Sequence, residues 1–304
     1  MLSLRKLTLE DKTWIDPIVM AEHTESADFC FGNMFIWDDE YSQLIGKHDG
    51  RLIVKARSNS TPFFAFPIGS GPLRPIMQEF YADAQENGFT MMVAGVTEAH
   101  KLQMEEEMPG VFEFTSEERF FDYIYSAEKL ATLSGKKLHG KRNHINRFVE
   151  LYPNWRFEEM TSAHYDDCRA LLRQWGDGHD ASEGGMIDEE QDAIECALQN
   201  FDALGLMGGV LYVNDRLCAF TIGERCAEHT YLVHFEKADA EVEGAYPMIN
   251  REFVRLIRER YPDIEYINRE DDLGLESLRK AKHSYRPEFQ VVKYTATLKP
   301  GMQP

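Results

Sequence analysis

The chain has 304 residues, of which 43% are hydrophobic and 28% are charged, a balance typical of a globular protein with two domains. The net charge of −19 argues against a protein that coats nucleic acid non-specifically, because phosphate is repelled over most of the surface. No window approaches 18 apolar residues, and the first residues lack the apolar run of a signal peptide. The five cysteines show no CxxC spacing and indicate reduced thiols, so we expect a cytoplasmic protein without a transmembrane segment.

The first half of the chain alternates strand and helix patterns. Thr8 and Asp11 are typical of a helix start, and Asp49-Gly50 between two alternating runs predicts a hairpin. Further helices are predicted over 72–86 and 98–108. The predicted strands are 2–9, 41–48, 51–58, 62–69, 89–97 and 112–118.

The second half shows the same kinds of pattern. Asn214-Asp215 predicts a second hairpin, and Ile249, Phe253 and Ile257 have helical spacing. The predicted helices are 162–175, 188–200, 247–261 and 274–285. The predicted strands are 155–160, 206–213, 216–226, 229–238, 264–270 and 289–298.

Both halves follow the same order of elements: strand, helix, helix, hairpin, strand, helix, strand, helix, strand. This order indicates a duplication, although residue identities do not repeat. We therefore predict an α/β (α+β) fold of two units with mixed sheets flanked by helices. The predicted domains are 1–128 and 154–304, joined by a basic connecting helix within 129–153 that Tyr152-Pro153-Asn154 ends.

The connecting segment concentrates positive charge in an acidic protein. Residues 134–148 contain five Lys or Arg and two His. On one helix, Lys137, Lys141 and His144 would share a face, as would Arg142 and Asn146. Such a face can hold a phosphate-bearing ligand through charge-assisted hydrogen bonds. The alternative, a solvated linker that balances acidic neighbours, is equally compatible with the pattern.

Two further segments are candidate ligand sites. The Gly244-Ala245 turn joins a strand to a long helix, whose N-terminus can hold a phosphate or a carbonyl oxygen, although many α/β proteins have such a turn. Arg269, Glu270 and Asp271 cluster at the end of a predicted strand, where they can supply a general base and bind an ammonium group. Helix capping and surface ion pairs are the alternative role of this cluster.

Several common active-site motifs are missing from the sequence. There is no GxxxxGK[ST] phosphate loop, no GxSxG nucleophile turn and no HExxH zinc motif. The sequence therefore predicts no metal site, and no cofactor is required.

Two motifs together resemble a known family. SGKKLHGKRNHINRF at 134–148 and NREDDLGLESLRKAKHSYRP at 268–287 resemble the C-terminal domain of phosphatidylglycerol lysyltransferases, a DUF2156-type domain. The resemblance implies tandem GNAT-like (N-acetyltransferase-type) units and an aminoacyl-tRNA donor. The Leu-Arg-x-x-Lys…Pro pattern of the family falls on Leu278, Arg279, Lys282 and Pro287. Lys282 is thereby implied to be a functional lysine.

We accordingly expect a transferase that moves an acyl or aminoacyl group onto an amine or hydroxyl of a small molecule or lipid headgroup. Glu241 and Glu243 occupy the region of the GNAT pyrophosphate loop and would repel coenzyme A, so acetyl-CoA is a less favoured donor than aminoacyl-tRNA. An acyl-CoA-dependent N-acyltransferase and a non-catalytic binder of an anionic ligand are the alternatives. The expected catalytic residues are Lys282, Asp271, Glu270 and Arg269. The expected donor-binding residues are Lys137, Lys141, Arg142, Asn143, Asn146, Gly244 and Ala245.

Overall fold

Alternating apolar residues form the strands of two separate sheets. The computed structural model describes residues 2–177 and 184–304. The strands are β1 (Arg5–Lys6), β2 (Leu44–His48), β3 (Arg51–Ser58), β4 (Thr61–Ala65), β5 (Met92–Val96), β6 (Phe112–Ser116), β7 (Asp122–Ser126), β8 (Arg156–Glu159), β9 (Met207–Val213), β10 (Arg216–Arg225), β11 (Thr230–Ala238), β12 (Tyr266–Asn268), β13 (Phe289–Val291) and β14 (Tyr294–Leu298).

Helices connect these strands, and most agree with the predicted positions within a few residues. They are α1 (Lys12–Glu22), α2 (Phe31–Ile36), α3 (Asp38–Tyr41), α4 (Leu73–Glu86), α5 (Glu98–Glu107), α6 (Ala127–Thr132), α7 (His139–Leu151), α8 (Tyr165–Asp177), α9 (Gly184–Gln199), α10 (Phe201–Leu204), α11 (Ala245–Arg260) and α12 (Glu276–Ser284).

The chain divides into two units, each built around one sheet. Unit 1 comprises the chain up to Asp122, Asp271–Gly274 and Val291–Pro304, and unit 2 comprises Tyr123–Glu270 and Leu275–Gln290. The sheet of unit 1 has the order β1-β2-β3-β4-β5-β14-β6, and that of unit 2, read in the same direction, has the order β8-β9-β10-β11-β12-β7-β13. In each sheet the fourth and fifth strands are parallel and enclose one long helix in sequence. The predicted fold class, a duplicated unit with mixed sheets, is confirmed.

The sixth strand of each sheet comes from an unexpected part of the chain. Unit 1 receives β14 from the C-terminus, and unit 2 receives β7 from the end of the predicted first domain. The units therefore differ from the predicted domains 1–128 and 154–304. Strand patterning shows which residues alternate but not which sheet they join, because pairing between distant strands leaves no local signal. For the same reason the predicted strand 289–298 is two strands in different sheets.

The predicted connecting helix of 129–153 is interrupted in the structure. Leu133 adopts a left-handed conformation (φ 50°) and ends α6, and Gly135 is also left-handed (φ 87°). A short 3-10 turn over Lys136–Leu138 then leads into α7. A left-handed residue ends a helix because it turns the chain away from the helix axis, and the amide of Leu133 still donates to the Lys129 carbonyl of the last turn. As a result, the basic residues before and after this break do not share one helix face.

Tight turns set the register of the hairpins. Asp49 and Gly50 both have positive φ, as do Asn214 and Asp215. Two consecutive left-handed residues form the turn whose twist matches that of paired strands. The β2–β3 and β9–β10 hairpins follow directly from these turns, as predicted.

Each unit packs its long helix on its own sheet. In unit 1, the apolar stripe of α4 includes the fully buried Phe80, which stacks on Phe64 at 4.0 Å between ring centroids. In unit 2, α11 buries Ile249 and Phe253 against the sheet and against α7. Burial of one such side chain stabilises a fold by about 1.5–3 kcal/mol. The packing of α11 on α7 places Ile145 and Phe148 of the basic segment in the core of unit 2.

Candidate functional site

In unit 2, β11 extends beyond the end of its parallel neighbour β12. β11 and β12 pair over Thr230–Leu232 and Tyr266–Asn268, while β11 continues to Ala238. We call the region between residues 233–238 and residues 269–270 the strand gap. In open α/β sheets, ligands bind beside the carboxyl ends of such strands. The polar side chains described below line this gap.

A β-bulge re-aims one side chain toward the strand gap. Along the β10–β11 ladder, Ile222 pairs with Phe235 and Gly223 pairs with Val233, so His234 is an extra residue on β11. A bulge of this kind twists the strand and redirects the side chain, and bulges are frequent beside active sites. The alternation of β11 in the sequence does not reveal it.

A buried carboxylate organises the centre of the site. Arg269 Nη2 donates to Glu236 Oε1 at 2.9 Å, and Asn250 Nδ2 donates to Glu236 Oε2 at 2.9 Å. The Arg269 guanidinium also lies over the rings of Tyr285, 4.9 Å from the centroid, and Tyr125, 5.7 Å from the centroid. Only 13% of the Arg269 side chain and 8% of the Glu236 side chain are exposed. Charge-assisted pairs are strong in such a poorly solvated place.

Lys141 adds a second cation to this cluster. Its ammonium lies 3.8 Å from the centroid of the Tyr285 ring. Burial lowers the pKa of Lys141 and the Arg269 cation lowers it further, to about 8, while Glu236 acts in the opposite direction. Lys141 has no hydrogen bond or ion pair to the part of the chain that the structure describes. Two cations thus lie near one carboxylate, which pairs with Arg269, so the ammonium of Lys141 can bind an anionic or oxyanionic group.

Three buried polar atoms of the cluster lack hydrogen-bond partners among residues 2–177 and 184–304. They are Arg269 Nη1, Asn250 Oδ1 and Thr221 Oγ1. Thr221 is the cross-strand neighbour of Glu236, so all three residues adjoin the same carboxylate. Most buried polar atoms in folded proteins have a partner, because a buried donor or acceptor without a hydrogen bond costs about 1–3 kcal/mol of stability. A bound ligand can satisfy these atoms.

A second charged group lies near the carboxyl end of β11. His234 is fully buried, with Nδ1 at 3.1 Å from Glu270 Oε1 and Nε2 at 3.1 Å from Glu224 Oε1. Burial lowers the pKa of His234, but the hydrogen bonds to Glu224 and Glu270 raise it more, to about 9. At neutral pH the ring is therefore an imidazolium that donates to both carboxylates.

Lys282 contacts the site through the main chain. Its ammonium donates to the carbonyl oxygen of Arg269 at 2.6 Å and lies 5.7 Å from the centroid of the Tyr123 ring. Tyr125 in turn donates its hydroxyl to the carbonyl oxygen of Lys282 at 2.9 Å. These contacts tie α12 to the end of β12. Lys282 is therefore placed to hold Arg269 in position.

Asp271 lies in a different part of the molecule from the other predicted catalytic residues. Asp271–Gly274 belongs to unit 1, whereas Arg269, Glu270 and Lys282 belong to unit 2. Asp271 Oδ1 accepts a hydrogen bond from the amide of Leu273 at 3.1 Å. This bond closes a turn before α12, whose N-cap is Leu275, and is not a helix cap.

The basic segment places one of its predicted donor-binding side chains in the cluster. Lys141 reaches it, whereas Lys137, Asn143 and Asn146 are exposed. Asn143 contacts His139 at 3.3 Å. The predicted common face of Lys137 and Lys141 is absent because Lys137 precedes α7.

Arg142 and the Gly244-Ala245 turn have structural contacts. Arg142 Nη1 donates to the carbonyl oxygens of Leu133 and Gly135, and so caps the end of α6. A Cβ atom on Gly244 would lie 2.7 Å from the His144 carbonyl oxygen, so this glycine allows α7 to approach α11. The amide of Ala245 donates to the Val242 carbonyl at 3.1 Å. Because the third helical residue is a proline without an amide, this N-terminus offers few donors to a phosphate.

The sequence analysis missed several residues of the cluster. Glu236, Asn250, Thr221 and Tyr125 each lie within an apolar strand or helix pattern, where a single polar residue attracts little notice. A signal was available on β11, where the polar residues His234 and Glu236 interrupt a mostly apolar run. Charged residues are seldom buried in a strand unless they are paired, so such an interruption indicates a site.

Between residues 2–177 and 184–304, no group of three or more His, Cys, Asp or Glu side chains is arranged to hold a metal ion. Over the same ranges, none of the helices has both the length and the apolar character needed to cross a bilayer.

Comparisons with known proteins place these units in a known fold. A conserved protein of unknown function from Bacteroides thetaiotaomicron is 37% identical, with a TM-score of 0.93 over 98% of this chain and 100% of that chain. The structure of L-PGS from Bacillus licheniformis is 15% identical, with a TM-score of 0.63 over 93% and 90%. A tandem GNAT protein from the clavulanic acid biosynthesis pathway is 10% identical, with a TM-score of 0.52 over 99% and 100%. The predicted GNAT-like fold is confirmed.

Sequence comparison extends the match to a family. An uncharacterised protein of Mycoplasmoides gallisepticum is 24% identical over 57% of this chain, and the chain spans about half (54%) of the length of that curated relative. The profile of the family described as phosphatidylglycerol lysyltransferase, C-terminal, matches residues 21–297. That range includes the polar cluster of unit 2 and both motifs from which the resemblance was drawn. The chain therefore belongs to the phosphatidylglycerol lysyltransferase C-terminal family.

Proposed function

We propose that the protein is an aminoacyl-type transferase whose reaction centre is the strand gap of unit 2. The observation that carries this proposal is a group of two cations, Arg269 and Lys141, near one carboxylate, Glu236, which pairs with Arg269 alone, while buried Arg269 Nη1 remains without a partner. Acyl transfer passes through a tetrahedral intermediate whose oxygen becomes negatively charged. Fixed cationic donors in a poorly solvated site stabilise such an oxyanion strongly.

The proposed reaction is the attack of an acceptor amine or hydroxyl on the carbonyl carbon of an aminoacyl ester. Glu270, whose side chain is 24% exposed, takes the proton that the acceptor loses as the new bond to the carbonyl carbon forms. Arg269 and Lys141 face the oxyanion. The ester C–O bond then breaks, and Lys141, whose pKa near 8 suits proton transfer at neutral pH, protonates the leaving oxygen. Glu270 then releases its proton to solvent, and Lys141 takes up a proton from solvent.

The donor that we propose is aminoacyl-tRNA, with the exposed basic residues of 136–147 contacting its phosphates. Membership of the lysyltransferase family and the fold of the Bacillus L-PGS support an aminoacyl donor. The α11 N-terminus, with exposed Glu241 and Glu243 before it and Pro247 inside it, offers little to the pyrophosphate of coenzyme A. A small-molecule amine or a lipid headgroup is the proposed acceptor. The free state of all five cysteines supports a cytoplasmic location.

Unit 2 rather than unit 1 is proposed to carry the reaction. In unit 1 the helix between the two parallel strands, α4, begins with the amides of Leu73 and Arg74. Both amides donate to Glu107 Oε2, at 2.9 and 3.3 Å. A carboxylate of the protein itself therefore occupies the place where a helix N-terminus would bind an anion.

The proposal is tested by incubating the protein with tRNA charged with radioactive amino acids and with pools of amine, hydroxyl and anionic lipid acceptors. We expect acceptor-dependent loss of aminoacyl groups from tRNA and a matching labelled product. Lys141→Met should lower the initial rate by about 10-fold or more, because one oxyanion donor and the proton donor are lost. Lys280→Met, an exposed lysine of the same unit, is the matched control and should keep the rate.

Two outcomes would contradict this proposal. One is the absence of transfer from every charged tRNA together with a rise in melting temperature on addition of acetyl-CoA, which would favour an acyl-CoA-dependent enzyme. The other is equal transfer rates for Lys141→Met and Lys280→Met, which would remove Lys141 from the reaction centre.

A further inference from the structure

The conformation of Glu270 is unusual and is held from three sides. Its φ of 55° lies in the left-handed region, which a residue with a side chain seldom adopts. Its amide donates to Asn268 Oδ1 at 2.6 Å, and its carbonyl accepts from the amide of Tyr123 at 3.1 Å. Its carboxylate contacts His234. Backbone strain persists only where the surroundings impose it, and it concentrates at functional sites.

The imidazole that contacts Glu270 is held equally firmly. His234 occupies the bulge on β11 and has no exposed side-chain surface. The charged groups that face it are Glu224, from the neighbouring strand β10, and Glu270, after β12. Only 6% of the Glu224 side chain is exposed, so this carboxylate has little access to solvent. A buried carboxylate of this kind costs several kcal/mol unless a cation pairs with it.

We infer that His234 is a positioning residue that keeps Glu270 ionised and aimed into the strand gap, and that Glu224 keeps His234 protonated. The inference rests on the proposed function, in which Glu270 accepts the proton of the acceptor. His234 itself transfers no proton. When Glu270 is protonated during the reaction, the imidazolium stays paired with Glu224, and the proton leaves Glu270 through its exposed edge to solvent.

The coupling between His234 and its two carboxylates can be measured on the ring itself. A nearby anion favours the charged form of an imidazole. Removing the charge of Glu224 or of Glu270 should therefore lower the pKa of His234, which the two carboxylates together raise to about 9. Because such coupling is reciprocal, the fall in Glu270→Gln measures how strongly the imidazolium favours the ionised Glu270. Carboxylates with a purely structural role would leave the charge of the ring unchanged.

The test is NMR titration of protein labelled with nitrogen-15 at histidine, so that no donor or acceptor is needed. The His234 resonances are identified by their loss in His234→Gln. We expect both ring nitrogens of the wild type to stay protonated up to about pH 8, and the pKa of His234 to fall in Glu224→Gln and in Glu270→Gln. Glu22→Gln is the matched control, since Glu22 is bonded to another buried histidine, His100, within unit 1. It should leave the His234 pKa unchanged.

A neutral His234 ring in the wild type at pH 7, or an unchanged His234 pKa in Glu270→Gln, would overturn the inference. The wild-type measurement decides if a variant does not fold. Failure of the proposed function is recognised separately, as the absence of transfer from charged tRNA with the His234 titration still as expected.

Discussion

Replacing Arg269 with glutamine is expected to lower kcat/KM for aminoacyl transfer by about 100- to 1,000-fold, the loss typical of removing one oxyanion donor. Arg269 is the residue on which the cluster converges. It pairs with Glu236, lies over Tyr125 and Tyr285, and has its main chain held by Lys282. Arg269→Lys should recover only part of the rate, because an ammonium keeps the charge but not the planar set of donors.

Two controls separate catalysis from folding in this experiment. Arg258→Gln changes an exposed arginine on α11 of the same unit and should keep kcat/KM within about 3-fold of the wild type. Urea unfolding of Arg269→Gln measures how much stability is lost by leaving Glu236 without its cation. A folded Arg269→Gln protein with the kcat/KM of Arg258→Gln would exclude Arg269 from the reaction.

Replacing Lys293 with methionine is expected to destabilise the protein by about 3–5 kcal/mol, because it leaves buried carboxylates without their cation. Within unit 1, Lys293 Nζ lies 2.5 Å from Asp28 Oδ1 and 2.8 Å from Asp122 Oδ1, with 7% of its side chain exposed. Burial of Asp28 raises the pKa of its carboxyl, and the Asp122 anion adds to this, while Lys293 opposes it. Urea unfolding at pH 7 measures the loss.

The stability lost in Lys293→Met should depend on pH. Burial and the Asp122 anion raise the pKa of the Asp28 carboxyl, and in Lys293→Met the cation that opposes this rise is gone, so folding favours the protonated form of Asp28. Part of the lost stability should therefore return as the pH falls from 7 toward 5. Lys101→Met, whose lysine lies 4.0 Å from an exposed Glu98, should cost less than about 1 kcal/mol at either pH. A loss below 1 kcal/mol for Lys293→Met would show that the buried triad does not stabilise unit 1.

Local signals predicted the elements well and the assembly of the sheets less well. The Asp49-Gly50 and Asn214-Asp215 turns each define a hairpin through the φ values of two residues, so the sequence suffices. The helical spacing of Ile249, Phe253 and Ile257 likewise locates α11. The exchange of β7 and β14 depends on pairing between strands far apart in sequence, which no local pattern encodes.

The site was predicted in part because its residues come from distant segments. Arg269 and Glu270 were found because charge clusters at a strand end. The contact between Lys141 and Tyr285 was not predicted. It depends on the helix break at Leu133 and on the packing of α7 against α11, which no local sequence pattern shows. The motif resemblance favoured Lys282, and the geometry instead gives the central place to Arg269, whose carbonyl Lys282 holds.

The most direct test of the account is a crystal structure with an adenosine that carries an amino acid through a 3′-amide, a stable analogue of the donor ester. We predict that its carbonyl oxygen lies within hydrogen-bond distance of Arg269 Nη1 and Lys141 Nζ, in the strand gap of unit 2. Binding of the analogue at any other place, with Arg269 Nη1 still without a partner, would contradict the central claim.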